Sequence, residues 1–361
     1  MSEVLSPRAL NRATLARQLL LERAPLDAVE AVGRLGGLQA QEPRPPYLAL
    51  WSRLEGFARE DLAGALREGA VVRGLLTRAT LHVAGREDFL DLRGVLQPVL
   101  SAAMTGALRG RDGGLDLDAL LPVARGLLEE EPRTFGELRA LLAARFPGVD
   151  ERALGYAVRT NLPLVMVPTA DPWAFPRDAR FAPADGRPRG AGPAGLVRCH
   201  LAAFGPATAA DVQRWSGLKG LAPVLDDLRD ELVVVRDERG RELFDLPGAP
   251  RPGEDAPAPP RFLPDFDSLV LAHEDRSRVV PDAHRGAITT RNLRVRATFL
   301  WDGVVAGTWA VARKGRRATL TVAPFGSLPR RAKGALTDEA ERLLAFAEPE
   351  ASSRTVVFAS T

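Results

Sequence analysis

One cysteine, Cys199, stands in 361 residues, so the chain has no intramolecular disulfide framework and no thiol cluster for a structural zinc. The four histidines, His82, His200, His273 and His284, are scattered without metal-ligand spacing, and neither a metal nor a cofactor is expected. Lysine occurs only at Lys219, Lys314 and Lys333, which leaves few amines for Schiff-base chemistry. No apolar run approaches a membrane span. The basic residues near the start, Arg8, Arg12 and Arg17, alternate with leucines at helical spacing instead of preceding a secretory core. A cytoplasmic, membrane-free monomer is the expectation.

What is present is ordinary in bulk and uneven in charge. A composition 45% hydrophobic and 26% charged is that of a globular protein long enough for two or three modules with cores of their own. The net charge of +3 conceals a block: residues 276 to 337 hold thirteen Arg or Lys against Asp282 and Asp302. Such a block attracts a polyanion.

The chain is organised around Gly36-Gly37-Leu38-Gln39-Ala40-Gln41-Glu42-Pro43-Arg44-Pro45-Pro46-Tyr47. The glycine pair ends an apolar-periodic helix through Val29, Val32 and Leu35, and the prolines keep the next residues extended. In extended chain, residues two apart share a side. Gln39 and Gln41 therefore converge, while Leu38 and Ala40 turn into apolar packing. Two neutral amides supply donors and acceptors enough to hold a water.

A helical grammar repeats around this loop. Helices are predicted over residues 8–22, 26–35, 47–54 and 61–68, and β-branched alternation from Thr77 through Val83 predicts a strand. From Leu117 the order is helix to Glu130, a capping box of Thr134 and Glu137, a helix from Glu151 to Thr160, and a strand from Leu164 to Val167. A third copy runs Leu196 to Phe204, then Thr208 to Trp215, then Lys219 to Asp230, and ends in a hairpin turned by Asp237-Glu238-Arg239-Gly240. The acidic Asp226, Asp227, Asp230 and Glu231 argue against that last helix entering a DNA groove. After a proline-rich tether from Pro247 to Pro260, strands over 294–301, 304–312 and 319–323, a helix from Arg330 to Ala347 and a strand from Thr355 to Phe358 make a small module that carries the basic block. The fold class is thus mainly α with β-hairpins (α+β): tandem winged helices over 1–112, 113–193 and 194–247, and a C-terminal antiparallel β-sheet module over 248–361.

Taken together, several of these stretches resemble the AlkZ/YcaQ-type winged-helix DNA glycosylases over nearly the whole length. The carriers are Leu38-Gln39-Ala40-Gln41, Arg78-Ala79-Thr80-Leu81-His82, Phe262-Leu263-Pro264-Asp265-Phe266-Asp267 with Asp275-Arg276-Ser277, and Asp302-Gly303 with Gly307-Thr308-Trp309. Gln in both catalytic places resembles the AlkZ branch of antibiotic self-resistance enzymes, whereas the YcaQ branch has Asp where Gln41 stands. Ala79 departs from the glycine more usual in the family.

The resemblance implies a monofunctional glycosylase for cationic N7-alkylguanine, including bulky adducts and interstrand crosslinks, with double-stranded DNA as partner. Gln39 and Gln41 would be catalytic. Arg78, His82, Arg276, Arg278, Arg285, Arg291, Arg313, Arg316 and Arg317 would contact DNA, and Asp267 would pair with Arg276 to hold a loop. The competing reading is a non-catalytic winged-helix DNA-binding regulator, in which the glutamines are incidental.

Overall fold

The structure is a computed structural model that describes residues 3–290, 292 and 294–359. It is an α+β protein. A two-residue strand β1 (Val4–Leu5) leads into helix α1 (Pro7–Arg17), whose N-cap Ser6 accepts from the Ala9 N–H ahead of Pro7 in the first turn. Helix α2 (Ala28–Arg34), capped by Asp27, ends at Gly36 and Gly37, both at positive φ. A side chain at Gly37 would press on the Val83 carbonyl, so the glycine lets the next strand, β2 (Leu38–Gln39), lie close to its neighbour. Helices α3 (Pro45–Arg53) and α4 (Arg59–Arg67) follow, then strands β3 (Val71–Leu75) and β4 (Leu81–Gly85).

The expected strand from Thr77 begins only at Leu81. Thr77–Ala79 is a tight 3₁₀ turn in which Arg78 and Ala79 both take positive φ, 54° and 56°. Ala79, where a glycine would be at ease, thus sits in the conformation that glycine favours. Helices α5 (Arg86–Val95), α6 (Gln97–Leu108), α7 (Leu117–Glu130), α8 (Phe135–Arg145) and α9 (Glu151–Asn161) come next, and the capping box of Thr134 and Glu137 is formed. Strands β5 (Leu164–Met166) and β6 (Phe181–Pro183) then complete one sheet in the order β2-β4-β3-β5-β6. The β3–β5 junction falls at Gly74, where any Cβ would strike the Phe89 ring and the Leu164 carbonyl.

Next come α10 (Gly192–Phe204), α11 (Ala209–Ser216), α12 (Ala222–Asp227) and the hairpin β7 (Val233–Asp237) and β8 (Glu242–Asp245). The helix expected from Lys219 is shorter, because Gly220 takes a φ of 73° and Pro223 can occupy only the first turn of a helix. Strand β1 adds to this hairpin in parallel with β7, a pairing of residues about 230 positions apart that local sequence does not announce. The buried guanidinium of Arg17 seals the junction, meeting Asp245 through two bonds of 2.6 and 2.8 Å.

The remaining elements are β9 (Arg261–Leu263), α13 (Arg285–Ile288), β10 (Thr298–Trp301), β11 (Val304–Lys314), β12 (Arg317–Pro324), α14 (Arg330–Ala347) and β13 (Ser353–Phe358). The sheet β13-β12-β11-β10-β9 is antiparallel except for β13, which returns over α14 to pair in parallel with β12. Leu336, Leu343 and Leu344 of α14 pack on Phe262, Phe299 and Leu320 of the sheet. The Trp309 indole N–H donates to the Leu263 and Thr298 carbonyls and so is structural.

Candidate active site

Alternation along the central loop sets the site. Leu38 and Ala40 are buried in the core beneath the first sheet, and the side chains of Gln39 and Gln41 both reach the opposite side, where they line one cleft of about 750 Å³. Strand β2 is held against β4 with Gln39 opposite His82, and the Ala40 N–H donates to Leu81 O at 2.7 Å. The buried Arg73 guanidinium donates to the Ala40 carbonyl from below, at 2.7 and 3.0 Å. Both main-chain groups of Ala40 are thus satisfied, and the loop carrying the two amides is fixed.

The amides are oriented as well as placed. Gln39 Oε1 accepts from Arg78 Nη2 at 2.8 Å, and Gln41 Oε1 accepts from the Leu81 N–H at 3.3 Å. An arginine and a backbone N–H can only donate, so in both side chains the oxygen faces its partner. Arg78 also donates to the Trp215 carbonyl at the end of α11. Its guanidinium thus holds Gln39 while also lining the cleft, aimed inward by the turn at Thr77–Ala79.

His82 leaves the expected DNA contacts. It is 2% exposed behind the strand. Its Nδ1 donates to Thr80 O at 3.0 Å, which leaves Nε2 to accept from the Thr77 hydroxyl at 2.9 Å. Burial, with the Arg78 charge nearby, pushes its pKa down to about 3, so the ring is neutral and braces the Thr77–Thr80 turn.

The other walls come from distant elements. Arg214 on α11, Phe266, Leu271, Arg276, Thr289, Asn292, Arg294 and Val295 complete the lining with Thr80. Among the described lining residues there are four arginines and no carboxylate. Arg78 is driven down to about 10 by burial and by Arg214 and Arg276, and Arg276 is lowered by burial and by Arg214 and Arg285. Mutually repelling guanidiniums around an open cleft are a receptor for an anion. Arg294 holds Glu42 at 2.7 Å and Asp265 at 3.4 Å, and Arg214 has Glu274 at 4.0 Å.

Asp267 does not pair with Arg276. It takes the buried Arg53 of α3 in a two-pronged bridge of 2.9 and 3.0 Å and caps the Leu269 N–H, which ties the Phe262–Asp267 loop to α3 and delivers Phe266 to the cleft. Arg276 is left facing the cleft. Arg278 is buried, donates to the Pro206 carbonyl at 2.8 Å and cannot reach DNA. Arg285 is engaged by Asp282 and Asp275, at 2.9 and 3.5 Å. Arg313, with Glu348 at 3.3 Å, and Arg316 and Arg317 belong to the far turn of β11 and β12, and none of the three lines the cleft. Arg291 lies outside the described residues.

Sequence reasoning did not single out Arg214, Arg294, Arg73 or Phe266. Arg294 sat within the basic block, but Arg214 reads as any surface arginine of a helix and only the docking of α11 reveals it.

The family described as DNA glycosylase AlkZ-like matches residues 32–346. A curated relative from Streptomyces sahachiroi, described as an interstrand DNA cross-link repair glycosylase, is 27% identical over 360 residues, covering 90% of this chain and 92% of that protein. A solved structure, the Streptomyces sahachiroi DNA glycosylase AlkZ, superposes with a TM-score of 0.81 at 22% identity, over 98% of this chain and all of that one. At that identity the superposition speaks for the fold.

Proposed function

Since this chain belongs to the AlkZ-like DNA glycosylase family, we propose that it hydrolyses the N-glycosidic bond of N7-alkylguanine in double-stranded DNA, bulky adducts and crosslinks included. The observation that carries this reading is the pairing of two oriented, uncharged amides in a cleft walled by arginines and free of carboxylates among its described lining residues.

Alkylation at N7 gives guanine a positive charge. When the C1′–N9 bond breaks, its electron pair passes to the base, which leaves neutral and needs no proton. A water oxygen then adds at C1′ and its proton goes to solvent. The protein need only position that water and tolerate positive charge growing on the sugar. Each glutamine carbonyl has one lone pair engaged, by Arg78 or by Leu81, and keeps a second beside its two N–H donors. Those groups hold a water as donor and acceptor together. Arg276 and Arg214 take the flanking phosphates, whose negative charge offsets theirs. Normal guanine would have to leave as an anion, and no acid among the described cleft residues is placed to prevent that.

The reading makes the enzyme monofunctional, as none of the three lysines lines the cleft. Release of N7-methylguanine from a duplex, followed by alkaline cleavage of the abasic sites, tests it. Gln39→Ala and Gln41→Ala each reduce the single-turnover rate by roughly a hundredfold, in line with the loss of one preorganised polar group. Excision of uracil, or release undiminished in both variants, would overturn the proposal.

A further inference from the structure

A second cavity, of about 560 Å³, shares Gln41 with the cleft, and the hydrolysis makes no use of it. Its lining is mixed: the rings of Phe135 and Phe181, 4.3 Å apart between centroids, with Met166 and Ala179 beside them, and Arg177, Glu42 and Asp178 among the charged residues. Into this lining come two arginines with unspent donors. Arg73, 3% exposed, uses Nε and Nη2 on the Ala40 carbonyl, while its buried Nη1 has no partner. Arg159 holds its guanidinium 6.0 Å from the Phe135 centroid, and its buried Nε is also without a partner.

Buried donors are seldom left unpaired, and where they are, a ligand atom is a ready explanation. The donors accept no proton, so the matching atom is an acceptor oxygen or nitrogen. The rings ask for a flat, apolar body stacked on or edge-on to them. The size suits a small fused-ring group, and a cavity that is mostly apolar with a few convergent polar atoms is the usual form of a small-molecule site. Three arginines, Arg73, Arg159 and Arg177, and two acids, Glu42 and Asp178, nearly balance in charge, so it is the rings and not net charge that select the occupant.

We propose that this cavity receives the non-nucleotide part of the lesion: a planar aromatic group bearing a carbonyl or ether oxygen and attached to guanine N7, stacked beside Phe135 and Phe181 and accepting from Arg73 and Arg159. The assignment rests on the reading of the chain as an N7-alkylguanine glycosylase. It makes the cavity the source of preference for bulky over simple adducts. Gln41, common to both spaces, is the point where the adduct passes from the reacting guanine into its own site. A methyl group at N7 leaves the cavity empty and gains nothing from it.

The test compares two duplexes, one with N7-methylguanine and one with the N7-guanine adduct of aflatoxin B1, a planar lactone. Ala179→Leu fills the cavity, and Arg159→Met keeps bulk while removing the donors. Each lowers kcat/KM for the aromatic adduct at least tenfold and leaves methylguanine release within twofold of the parent protein. Melting curves show whether Ala179→Leu is folded, and if it is not, Arg159→Met decides alone. Equal losses on both duplexes assign the cavity to the guanine or the DNA and overturn the proposal, as does no loss on either. If the parent protein releases methylguanine but not the aromatic adduct, this proposal fails and the glycosylase reading stands. Release of neither ends both.

Discussion

Replacing Arg78 by methionine separates positioning from DNA binding. The side chain keeps its bulk and loses two hydrogen bonds, one to Gln39 Oε1 at 2.8 Å and one to the Trp215 carbonyl. A bond to a charged donor contributes about 1.5–3 kcal/mol. If the orientation of Gln39 is worth that much in the transition state, the rate falls by about 10- to 150-fold, at 1.4 kcal/mol per factor of ten. Stability changes less. Two carbonyls lose a donor, but a guanidinium crowded by Arg214 and Arg276 is removed as well. The net cost of about 1 kcal/mol lowers the thermal midpoint by no more than about 3 °C in a protein of this size. The assay is single-turnover release of N7-methylguanine with enzyme saturating over DNA. A slow rate that more enzyme does not restore identifies a positioning residue, and Arg78→Lys, which keeps a donor and the charge, recovers part of it. A saturated rate within twofold of the parent, with a weakened Kd, would instead make Arg78 a phosphate contact and refute the reasoning.

Acid should destabilise the fold through its buried histidines. Burial holds His82 down at about 3 and His200 at about 4. Both lie below the ordinary value of about 6.5, so the neutral rings contribute their full stability above pH ~6.5 and lose it as pH falls toward the folded values. Thermal midpoints will be level from about pH 7 to 8.5 and decline below about pH 6.5, and a level profile down to pH 5 would contradict this. Because the two glutamines do not titrate, the single-turnover rate should be flat across about pH 6.5 to 9, where a bell-shaped profile would reveal a hidden acid or base. Asp267→Ala strands the buried Arg53 and should cost about 3–5 kcal/mol in denaturant unfolding. A cost below about 1 kcal/mol would mean that water reaches the bridge. Arg276→Ala should weaken DNA binding and reduce the slope of log Kd against log salt by about one. Arg278→Ala should lower stability and leave that slope unchanged, since Arg278 is spent on the Pro206 carbonyl.

Local order was open to reading from the residues. The cap at Thr134, the glycine stop after α2, the hairpin about Gly240 and the long α14 all come from interactions within a few residues, and sequence spacing encodes those directly. The shared side of Gln39 and Gln41 is of the same kind, because alternation in an extended chain requires no distant partner. The turn at Thr77–Ala79 was hidden, as β-branched residues on either side of it look like one strand until Arg78 is pulled inward by Gln39.

Which arginine meets which acceptor could be decided only by tertiary structure. Arg53, Arg78, Arg276 and Arg278 carry the same charge in the sequence, yet one braces a loop, one orients an amide, one faces the cleft and one is buried under α1. A guanidinium is long enough to reach several partners, and burial sets what it meets by excluding water from all but one of them. Residue type and spacing determined the pair of amides; the packing of four chain regions around them determined the cleft they face.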